Sequence, residues 1–368
     1  MKIALSGYYG FDNAGDEALL SAITSTIKKR ETNCDFVAFS GHPEQTSQLH
    51  GIRAIYYMNP LAMIRELAGT DLLISGGGSI FQDVTSSRSL AYYIAVVALA
   101  RTLRVPVIFY AQGMGPINRP FNRWLMRIVG NRVNMITLRD EESAQYLKEL
   151  GITRPPVTIT ADPVLSLQPG PAEEQTARSI LRDAGLSDGP LVGVALRNWS
   201  SLNQHMENVA QLLDDLAVRG YRIVFIPLAF PEDVEAGRRV AAMMKSEAYQ
   251  LEQRLNSQEH LALIAHMDLM IGMRLHALIF AANQGVPFAG ISYDPKIDAF
   301  LRQFSLAPLP DDLDGMRAEV GRLLEEPAAR EVIGATAGEL RAKAEETAEL
   351  ALRLMRRERN RRRRTQQP

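Results

Sequence analysis

The chain has 368 residues, a net charge of −1 and one cysteine, with 46% hydrophobic and 23% charged residues. This length favours two domains, because a single core seldom grows beyond about 250–300 residues. The lone Cys34 excludes an intramolecular disulfide and a multi-cysteine metal cage, and it fits a reducing compartment. The sequence shows neither a signal peptide nor the roughly 20 apolar residues of a membrane span, so we expect a cytoplasmic protein.

Short apolar runs alternate with amphipathic segments from the N-terminus onwards. In the first half, strands are predicted at 2–6, 35–39, 71–75, 105–110, 133–137 and 157–160. Helices are predicted between them at 14–30, 60–68, 88–103, 120–131 and 140–150. Strand–helix alternation at this spacing predicts a parallel, doubly wound sheet with right-handed crossovers.

The same pattern begins again after a Pro/Gly-rich linker at 165–174. Further strands are predicted at 191–196, 221–227, 267–272 and 286–292. The repetition predicts an α/β fold of two Rossmann-like domains facing across a cleft, at 1–167 and 168–327, followed by a C-terminal helix and tail at 328–368. Because parallel sheets bind ligands at the carboxyl ends of their strands, the residues after each strand are the functional candidates.

Glycines and polar side chains follow the strands of the first half. GYYGFDNAGDEALL comes after the first strand, and its acids suit the hydroxyl groups of a sugar better than a phosphate. The competing interpretation is that one of these side chains only caps the next helix. SGGGSIFQD bares backbone N–H groups at a further strand end, where a helix N-terminus favours an anion; the competing interpretation is a tight loop without a ligand. YAQGMGP presents glycines and Gln112 at another strand end. The resulting candidates for a polyhydroxylated ligand are Asp12, Asn13, Asp16, Gly77, Gly78 and Gln112.

Cationic side chains follow other strands. Arg139 in TLRDEES is expected to point into the cleft, whereas Asp140 is interpreted as a helix cap. Arg274 and His276 in GMRLHALIFAANQG stand where a strand gives way to a helix, and SYDPKID adds Lys296. A lone histidine beside an apolar helix is often a satisfied core residue. Three cations and an imidazole at strand ends instead predict a small, dense anion bearing phosphate or carboxylate.

Several familiar motifs are missing, and the C-terminus is strongly basic. CxxC, HExxH, GxSxG, P-loop and kinase motifs do not occur. The DLD at 312–314 is interpreted as a helix cap rather than a metal motif of glycosyltransferases. RRERNRRRR at 356–364 holds seven arginines and one glutamate, which leaves −7 on the rest of the chain. This tail is either a solvated end or a contact with an anionic membrane, and the acidic body argues against nucleic acid.

As a set, these motifs resemble the polysaccharide pyruvyltransferase family, particularly the bacterial branch that modifies secondary cell-wall polymers for S-layer anchoring. The resemblance implies a GT-B-like fold, with phosphoenolpyruvate as donor. No further cofactor is expected, and no metal is required if the cations do the electrostatic work. It also implies a cyclic pyruvate ketal as product, on a sugar such as N-acetylmannosamine of a lipid-diphosphate-linked disaccharide, with release of phosphate. The matching stretches run in order from residue 7 to residue 298: GYYGFDNAGDEALL, SGGGSIFQD, YAQGMGP, LRDEES, DPVL, GVALRNW, GMRLHALIFAANQGVP and SYDPKID.

This hypothesis gives the candidates specific roles. The second domain is the donor side, and the first is the acceptor side with the six hydroxyl-binding candidates above. His276 handles a proton, because the ordinary pKa of histidine lies near neutrality. Asp16 or Asp12 serves as the base or orients the sugar. The residues that bind the anions of the donor are Arg139, Arg274, His276 and Lys296, of which Arg139, His276 and Lys296 are also assigned to catalysis together with Asp16.

A lipid-linked acceptor would lie at the inner face of the cell membrane, where the Arg-rich tail is expected to hold a peripheral enzyme. Two alternatives stay open. One is a nucleotide-sugar glycosyltransferase of the GT-B type, in which Glu259 or Asp268 would bind the ribose. The other is a non-catalytic glycan-binding protein, which would tolerate loss of His276 and release no phosphate. Stabilisation by a nucleotide sugar or by phosphoenolpyruvate would separate the first alternative from a pyruvyltransferase.

Overall fold

The computed structural model describes residues 1–84, 86–198 and 203–366. Trp199 in GVALRNW and the last two residues of the tail lie outside this range. Contacts divide the chain into two α/β units. Unit 1 comprises Met1–Phe11, Asp16–Ser166 and Leu340–Pro368, and unit 2 comprises Asp12–Gly15 and Leu167–Glu339.

Unit 1 contains a seven-stranded parallel sheet in the order β3-β2-β1-β4-β5-β6-β7. Its strands are β1 (Lys2–Tyr9), β2 (Asp35–Ser40), β3 (Arg53–Tyr56), β4 (Leu72–Gly76), β5 (Val107–Gln112), β6 (Met135–Leu138) and β7 (Val157–Ile159). Its helices are α1 (Ala14–Arg30), α2 (Pro43–His50), α3 (Pro60–Ala68), α4 (Ser87–Thr102), α5 (Pro120–Gly130) and α6 (Glu141–Glu149). The strand order reverses between β1 and β4, which is where open parallel sheets bind ligands.

Unit 2 contains a five-stranded parallel sheet in the order β10-β9-β8-β11-β12. Its strands are β8 (Leu191–Ala195), β9 (Arg222–Phe225), β10 (Ala248–Gln250), β11 (Leu269–Gly272) and β12 (Phe288–Gly290). Its helices are α7 (Pro171–Asp183), α8 (Asn203–Val218), α9 (Glu232–Ala241), α10 (Ser257–Ile264), α11 (Leu275–Asn283), α12 (Pro295–Gln303) and α13 (Leu313–Glu325). The corresponding reversal lies between β8 and β11, so the residues after these strands occupy the equivalent position.

The final helix, α14 (Pro327–Gln366), belongs to unit 2 as far as Glu339 and to unit 1 from Leu340. Its apolar side chains, including Leu352 and Met355, are buried in the unit 1 core with residues of β1 and β2. Burial of these side chains explains why the helix ends in unit 1, since apolar area removed from water is the main stabilising contribution of such a segment. None of the helices in the described parts of the chain combines the length and the hydropathy of a membrane span.

The two parallel, doubly wound sheets predicted from the sequence are confirmed, and every predicted strand overlaps an observed one. The units differ from the predicted domains at two places. The loop Asp12–Gly15, expected in the first domain, is part of unit 2, and the C-terminal segment, placed after the two domains, is divided between the units at Glu339 and Leu340. The sequence patterns did not predict α2, β3 and β10, which are short and polar or lie at sheet edges.

Candidate functional site

The carboxyl ends of β1, β4 and β5 bring four of the predicted residues together in unit 1. Gly77 and Gly78 both have positive φ, at 78° and 70°, and a Cβ on Gly77 would lie 2.9 Å from Leu19. A Cβ on Gly78 would lie 3.5 Å from Oδ1 of Asp16, so this carboxylate stands beside the bare glycine backbone. Gln112 Nε2 donates to the carbonyl oxygen of Gly78 at 2.7 Å, which fixes the glycine turn.

Gln112 is buried, with 0% of its surface exposed. Its amide nitrogen is used, but its Oε1 has no hydrogen-bond partner among the residues that the structure describes. A buried acceptor without a donor is uncommon in folded proteins and calls for an ordered water or a ligand hydroxyl. Gln112 therefore holds the turn with one end of its amide and offers an acceptor with the other.

Arg139 lies at the carboxyl end of β6, and only 5% of it is exposed. Its Nη1 donates to Asp162 Oδ2 at 3.0 Å, and its Nη2 donates to Ser79 Oγ at 3.0 Å. Its Nε also lies 3.5 Å from Asp140 Oδ2. A Cβ on Gly113 would come within 2.8 Å of this guanidinium. Two carboxylates therefore oppose the charge of this buried arginine. Its binding of the anions of the donor stays a prediction.

Asp140 has the structural role predicted for it. Its Oδ1 accepts from Ser143 N at 2.7 Å and caps α6. The DLD interpretation is also confirmed, since Asp312 accepts from Gly315 N at 2.8 Å and caps α13. Within the described ranges, the structure places no three His, Cys, Asp or Glu side chains where they could share a metal ion.

The loop Asp12–Gly15, which follows β1, is part of unit 2 and is held there by backbone hydrogen bonds. Ala14 N donates to the carbonyl oxygen of Leu228 at 3.0 Å. In turn, the Ala14 carbonyl oxygen accepts from Ser257 Oγ at 2.8 Å. The loop therefore bonds to the segment after β9 and to the start of α10, and it presents its polar side chains from a fixed position.

The side chains of this loop have partners of their own. Asn13 forms an isolated antiparallel bridge with Ala229, and its Oδ1 accepts from Gly15 N at 3.0 Å at the start of α1. Asp12 lies 2.9 Å from Nη1 of Arg254 in a half-exposed ion pair. The capping interpretation is therefore confirmed for Asn13, while Asp12 keeps a carboxylate that solvent can reach.

Gly15 packs directly against the imidazole of His276. A Cβ on Gly15 would lie 2.0 Å from Nδ1 and 2.4 Å from Cγ of this ring. His276 is partly exposed, unlike the apolar residues around it on α11. Because such distances are far inside van der Waals contact, only glycine allows the loop to approach the ring. The structure thus joins the acidic loop and the predicted proton carrier, which are more than 250 positions apart in the sequence.

Arg274, just before α11, is held by Asp233, a residue that the sequence patterns did not single out. Asp233 is buried, with 3% exposed, and both its carboxylate oxygens accept from Arg274, whose Nε lies 2.9 Å from Oδ2. The same carboxylate accepts from the backbone of Leu228 and Ala229 at 3.1 and 3.0 Å. This bidentate arrangement fixes the guanidinium. The sequence signal that could have revealed Asp233 is its place in FPED, shortly after the carboxyl end of β9 and thus at the same edge of the sheet as Arg274.

Lys296 and Arg197 both lie near the ring of Tyr293. Lys296 Nζ lies 3.1 Å from Asp294 Oδ2 and 5.9 Å from the centre of the Tyr293 ring. Arg197, after β8, donates to the Tyr293 hydroxyl at 2.7 Å. Since β8, β11 and β12 are neighbours in the sheet, with strands about 4.8 Å apart, cations follow three adjacent strands of unit 2.

Other polar residues of unit 2 have structural roles. His260 is 1% exposed, and its ring nitrogens lie 3.0 Å from the carbonyl oxygens of Asn256 and Pro227. Burial lowers the pKa of His260 below its ordinary value. Glu259 accepts from Asn256 N at 2.7 Å in a capping box, and Asp268 accepts from Leu191 N at 2.9 Å. Both carboxylates suggested for a nucleotide ribose therefore already bond to the backbone.

Two comparisons relate the sequence of this chain to known proteins. Residues 13–295 match the model of a family described as polysaccharide pyruvyl transferase. The amylovoran biosynthesis protein AmsJ of Erwinia amylovora is 21% identical, over 86% of this chain and 89% of that protein.

Similar solved structures include three sugar-nucleotide proteins. The UDP-GlcNAc 2-epimerase of Methanocaldococcus jannaschii has a TM-score of 0.67 at 12% identity, covering 95% of this chain and 99% of that one. The UDP-GlcNAc 2-epimerase of Neisseria meningitidis bound to UDP-GlcNAc has a TM-score of 0.64 at 14% identity, covering 96% of this chain and 100% of that one. Anabaena HepE in complex with UDP-glucose has a TM-score of 0.63 at 13% identity, covering 98% of this chain and 99% of that one. At these identities the likeness establishes the fold alone, and it confirms the GT-B-like class of two Rossmann-like units.

Proposed function

Because the chain belongs to the polysaccharide pyruvyl transferase family, we propose that it takes the pyruvyl group from phosphoenolpyruvate and joins it to a sugar as a cyclic ketal, releasing phosphate. The transferase class follows from the family; the donor, the acceptor and the residue roles are the proposal. The observation that carries it is the contact of Gly15 with the His276 imidazole, which puts an acidic loop beside a proton carrier.

The proposed reaction balances without water, oxidant or metal. A general acid protonates C3 of phosphoenolpyruvate, which becomes the methyl group and leaves C2 electrophilic. One sugar hydroxyl attacks C2, a second hydroxyl of the same sugar follows, and the bond from C2 to the phosphate oxygen breaks. The sugar hydroxyls release two protons. One restores the general acid that protonated C3, and the other leaves with phosphate.

In this scheme His276 is the proton carrier, giving its proton to C3 or to the departing phosphate. Asp16 or Asp12 accepts the hydroxyl proton or orients the sugar. Arg274, Lys296 and Arg139 oppose the carboxylate and phosphate charges of the donor. Asp233 supports this role for Arg274, since a guanidinium held by two carboxylate oxygens keeps its remaining N–H donors in one direction.

For the acceptor we propose a lipid-diphosphate-linked disaccharide carrying N-acetylmannosamine, as in the branch that prepares cell-wall polymers for S-layer anchoring. The unsatisfied Oε1 of Gln112 and the carboxylate of Asp16 beside Gly78 support a ligand rich in hydroxyl groups. The relative AmsJ is named for amylovoran biosynthesis, so an exopolysaccharide unit is the competing acceptor within the same reaction class.

Phosphate release from phosphoenolpyruvate tests the proposal directly. The wild-type protein should release phosphate only when an acceptor is present, and a panel of lipid-linked disaccharides and amylovoran fragments identifies that acceptor. His276→Ala should lower the rate by about 10²–10⁴-fold, as expected for loss of a general acid. Release that survives this substitution, or stabilisation by a nucleotide sugar in place of phosphoenolpyruvate, would count against the assignment.

We also propose that the Arg-rich end of α14 holds the protein at an anionic membrane. Arg356 donates to Glu31 Oε2 at 2.9 Å, and Arg362 donates to the carbonyl oxygen of Arg104. Glu31 and Arg104 precede β2 and β5, so the tail lies at the amino edge of the sheet, roughly 20 Å along the strands from the candidate site. Membrane contact through the tail would leave the carboxyl edge accessible.

A truncation tests the tail, and the structure dictates where to cut. Leu352 and Met355 are buried in the core, so the deletion should begin at Arg359. Loss of 359–368 should reduce cosedimentation with phosphatidylglycerol vesicles and leave turnover of a soluble acceptor intact, because each basic residue contributes about 1 kcal/mol near such a surface. Phosphatidylcholine vesicles are the control, and undiminished binding would refute a membrane role for the tail.

A further inference from the structure

A continuous row of aromatic rings lines one end of the unit 1 sheet. Tyr8 stacks on Phe11 with ring centres 4.3 Å apart. Phe11 meets Tyr57 edge to face at 5.5 Å, and Tyr57 meets Tyr92 at 5.3 Å. Tyr56 meets Tyr57 at 5.2 Å. We call these five residues the aromatic row.

The aromatic row begins in the segment of chain that leads to Asp16, one of the candidate acceptor residues. Tyr8 lies near the end of β1, directly before the turn that leads to Asp16, and Tyr56 ends β3. Phe11 crosses the end of β2, where a Cβ on Gly41 would lie 2.8 Å from its ring. From β1 to β3 the row spans two strand spacings, or about 10 Å. This length suits a disaccharide lying along the carboxyl edge.

The two outer rings of the row remain open to solvent, with Tyr8 40% and Tyr56 49% exposed. Each outer ring packs on a partly buried one, Tyr8 on Phe11 and Tyr56 on Tyr57. Aromatic side chains carry large apolar faces, and an exposed group of them commonly marks a binding surface. A preordered row of this kind loses little side-chain entropy when a ligand covers it.

The chemistry of the row fits a carbohydrate. A pyranose has one face of C–H groups, which packs on an aromatic ring, and a rim of hydroxyls, which needs acceptors such as the Asp16 carboxylate. We propose that the aromatic row binds the sugar of the acceptor that neighbours the one receiving the pyruvyl group. The inference rests on the proposed function for the identity of the glycan, and it concerns binding rather than chemistry.

Glycan binding without the donor tests this proposal independently of turnover. The probe is the soluble disaccharide of N-acetylmannosamine and N-acetylglucosamine, titrated by calorimetry or by saturation-transfer NMR. Tyr8→Ala and Tyr56→Ala should each weaken its binding by about tenfold, the loss expected for one ring contact, while Tyr8→Phe keeps it. Trp124→Ala is the matched control, because Phe121 and Trp124 form another exposed stacked pair, with 67% and 56% exposed.

The kinetic readout adds a second criterion. Tyr8→Ala should raise KM for the disaccharide acceptor, leave kcat nearly unchanged, and have little effect on KM for an N-acetylmannosamine monosaccharide acceptor. The proposal would be overturned if Tyr8→Ala and Trp124→Ala weakened binding of the disaccharide equally, or if the wild-type protein did not bind it at millimolar concentration. It would also be overturned if Tyr8→Ala reduced binding to lipid vesicles and left binding of the disaccharide unchanged. If the aromatic row binds the disaccharide but the protein releases no phosphate, the proposed function is contradicted and the proposal that the row binds a glycan stands.

Discussion

The substitution Gly15→Ala tests the proposed role of His276 without removing the imidazole. The new Cβ would lie 2.0 Å from Nδ1, whereas ordinary contacts begin at 3.4 Å, so the ring and the loop must separate by about 1.4 Å. A displacement of about 1 Å of a catalytic group can cost roughly 100-fold in rate. We therefore expect kcat for phosphate release to fall by about 100-fold, which corresponds to about 2.7 kcal/mol of barrier.

The assay is the initial rate of phosphate release at saturating phosphoenolpyruvate and acceptor, with thermal unfolding measured in parallel. Gly334→Ala on α14 is the matched control, since a Cβ there meets nothing within 4 Å. It should leave kcat unchanged and slightly raise the unfolding temperature, because alanine favours a helix interior over glycine. In a His276→Ala background, Gly15→Ala should cause no further loss, because both changes act through one ring. Undiminished kcat in a folded Gly15→Ala protein would refute the reasoning.

Three further predictions concern charge and burial. Asp233→Asn leaves Arg274 without its anion, and breaking such a pair should cost about 3 kcal/mol, or about 10 °C of Tm by calorimetry, while raising KM for phosphoenolpyruvate. Arg139→Ala leaves Asp162 buried and unpaired, so circular dichroism melts should show a comparable fall in Tm that Arg139→Lys partly reverses. Because burial lowers the pKa of His260, the unfolded chain binds a proton at a pH where the folded protein does not. The free energy of unfolding should therefore fall as the pH drops below about 6.5. His260→Gln should flatten a plot of Tm against pH measured from pH 8 to pH 5.

The fold could be predicted because its central strands are buried on both faces and appear as short apolar runs. Residues 71–75 and 267–272 are typical, and both correspond to central strands of their sheets. The edge strand β3 has only partly buried or exposed side chains, so RAIY shows no such run. The helix α2, PEQTSQLH, is too polar to show a helical period, and its one buried residue gives no periodic signal.

The sequence could predict only those site residues that directly follow a predicted strand, and not the residues that they contact. That Asp16, Gly78, Gln112, Arg274 and His276 follow strands is a local property of the sequence. Their partners are not local, because they depend on how distant strand ends meet in the folded chain. The contacts of Gly15 with His276 and of Asp233 with Arg274 join segments far apart in sequence, and the pairing of Arg139 with Asp162 depends on β6 and β7 being neighbours.

Proton NMR of the product formed in D₂O tests the central claim most directly. Transfer of a pyruvyl group from phosphoenolpyruvate, with protonation at C3 by a group that exchanges with solvent, predicts a ketal methyl signal on the acceptor sugar carrying one deuterium, in step with phosphate release. His276→Ala should abolish that signal. Phosphate release that yields free pyruvate in place of a ketal, or an undiminished methyl signal from His276→Ala, would contradict the account.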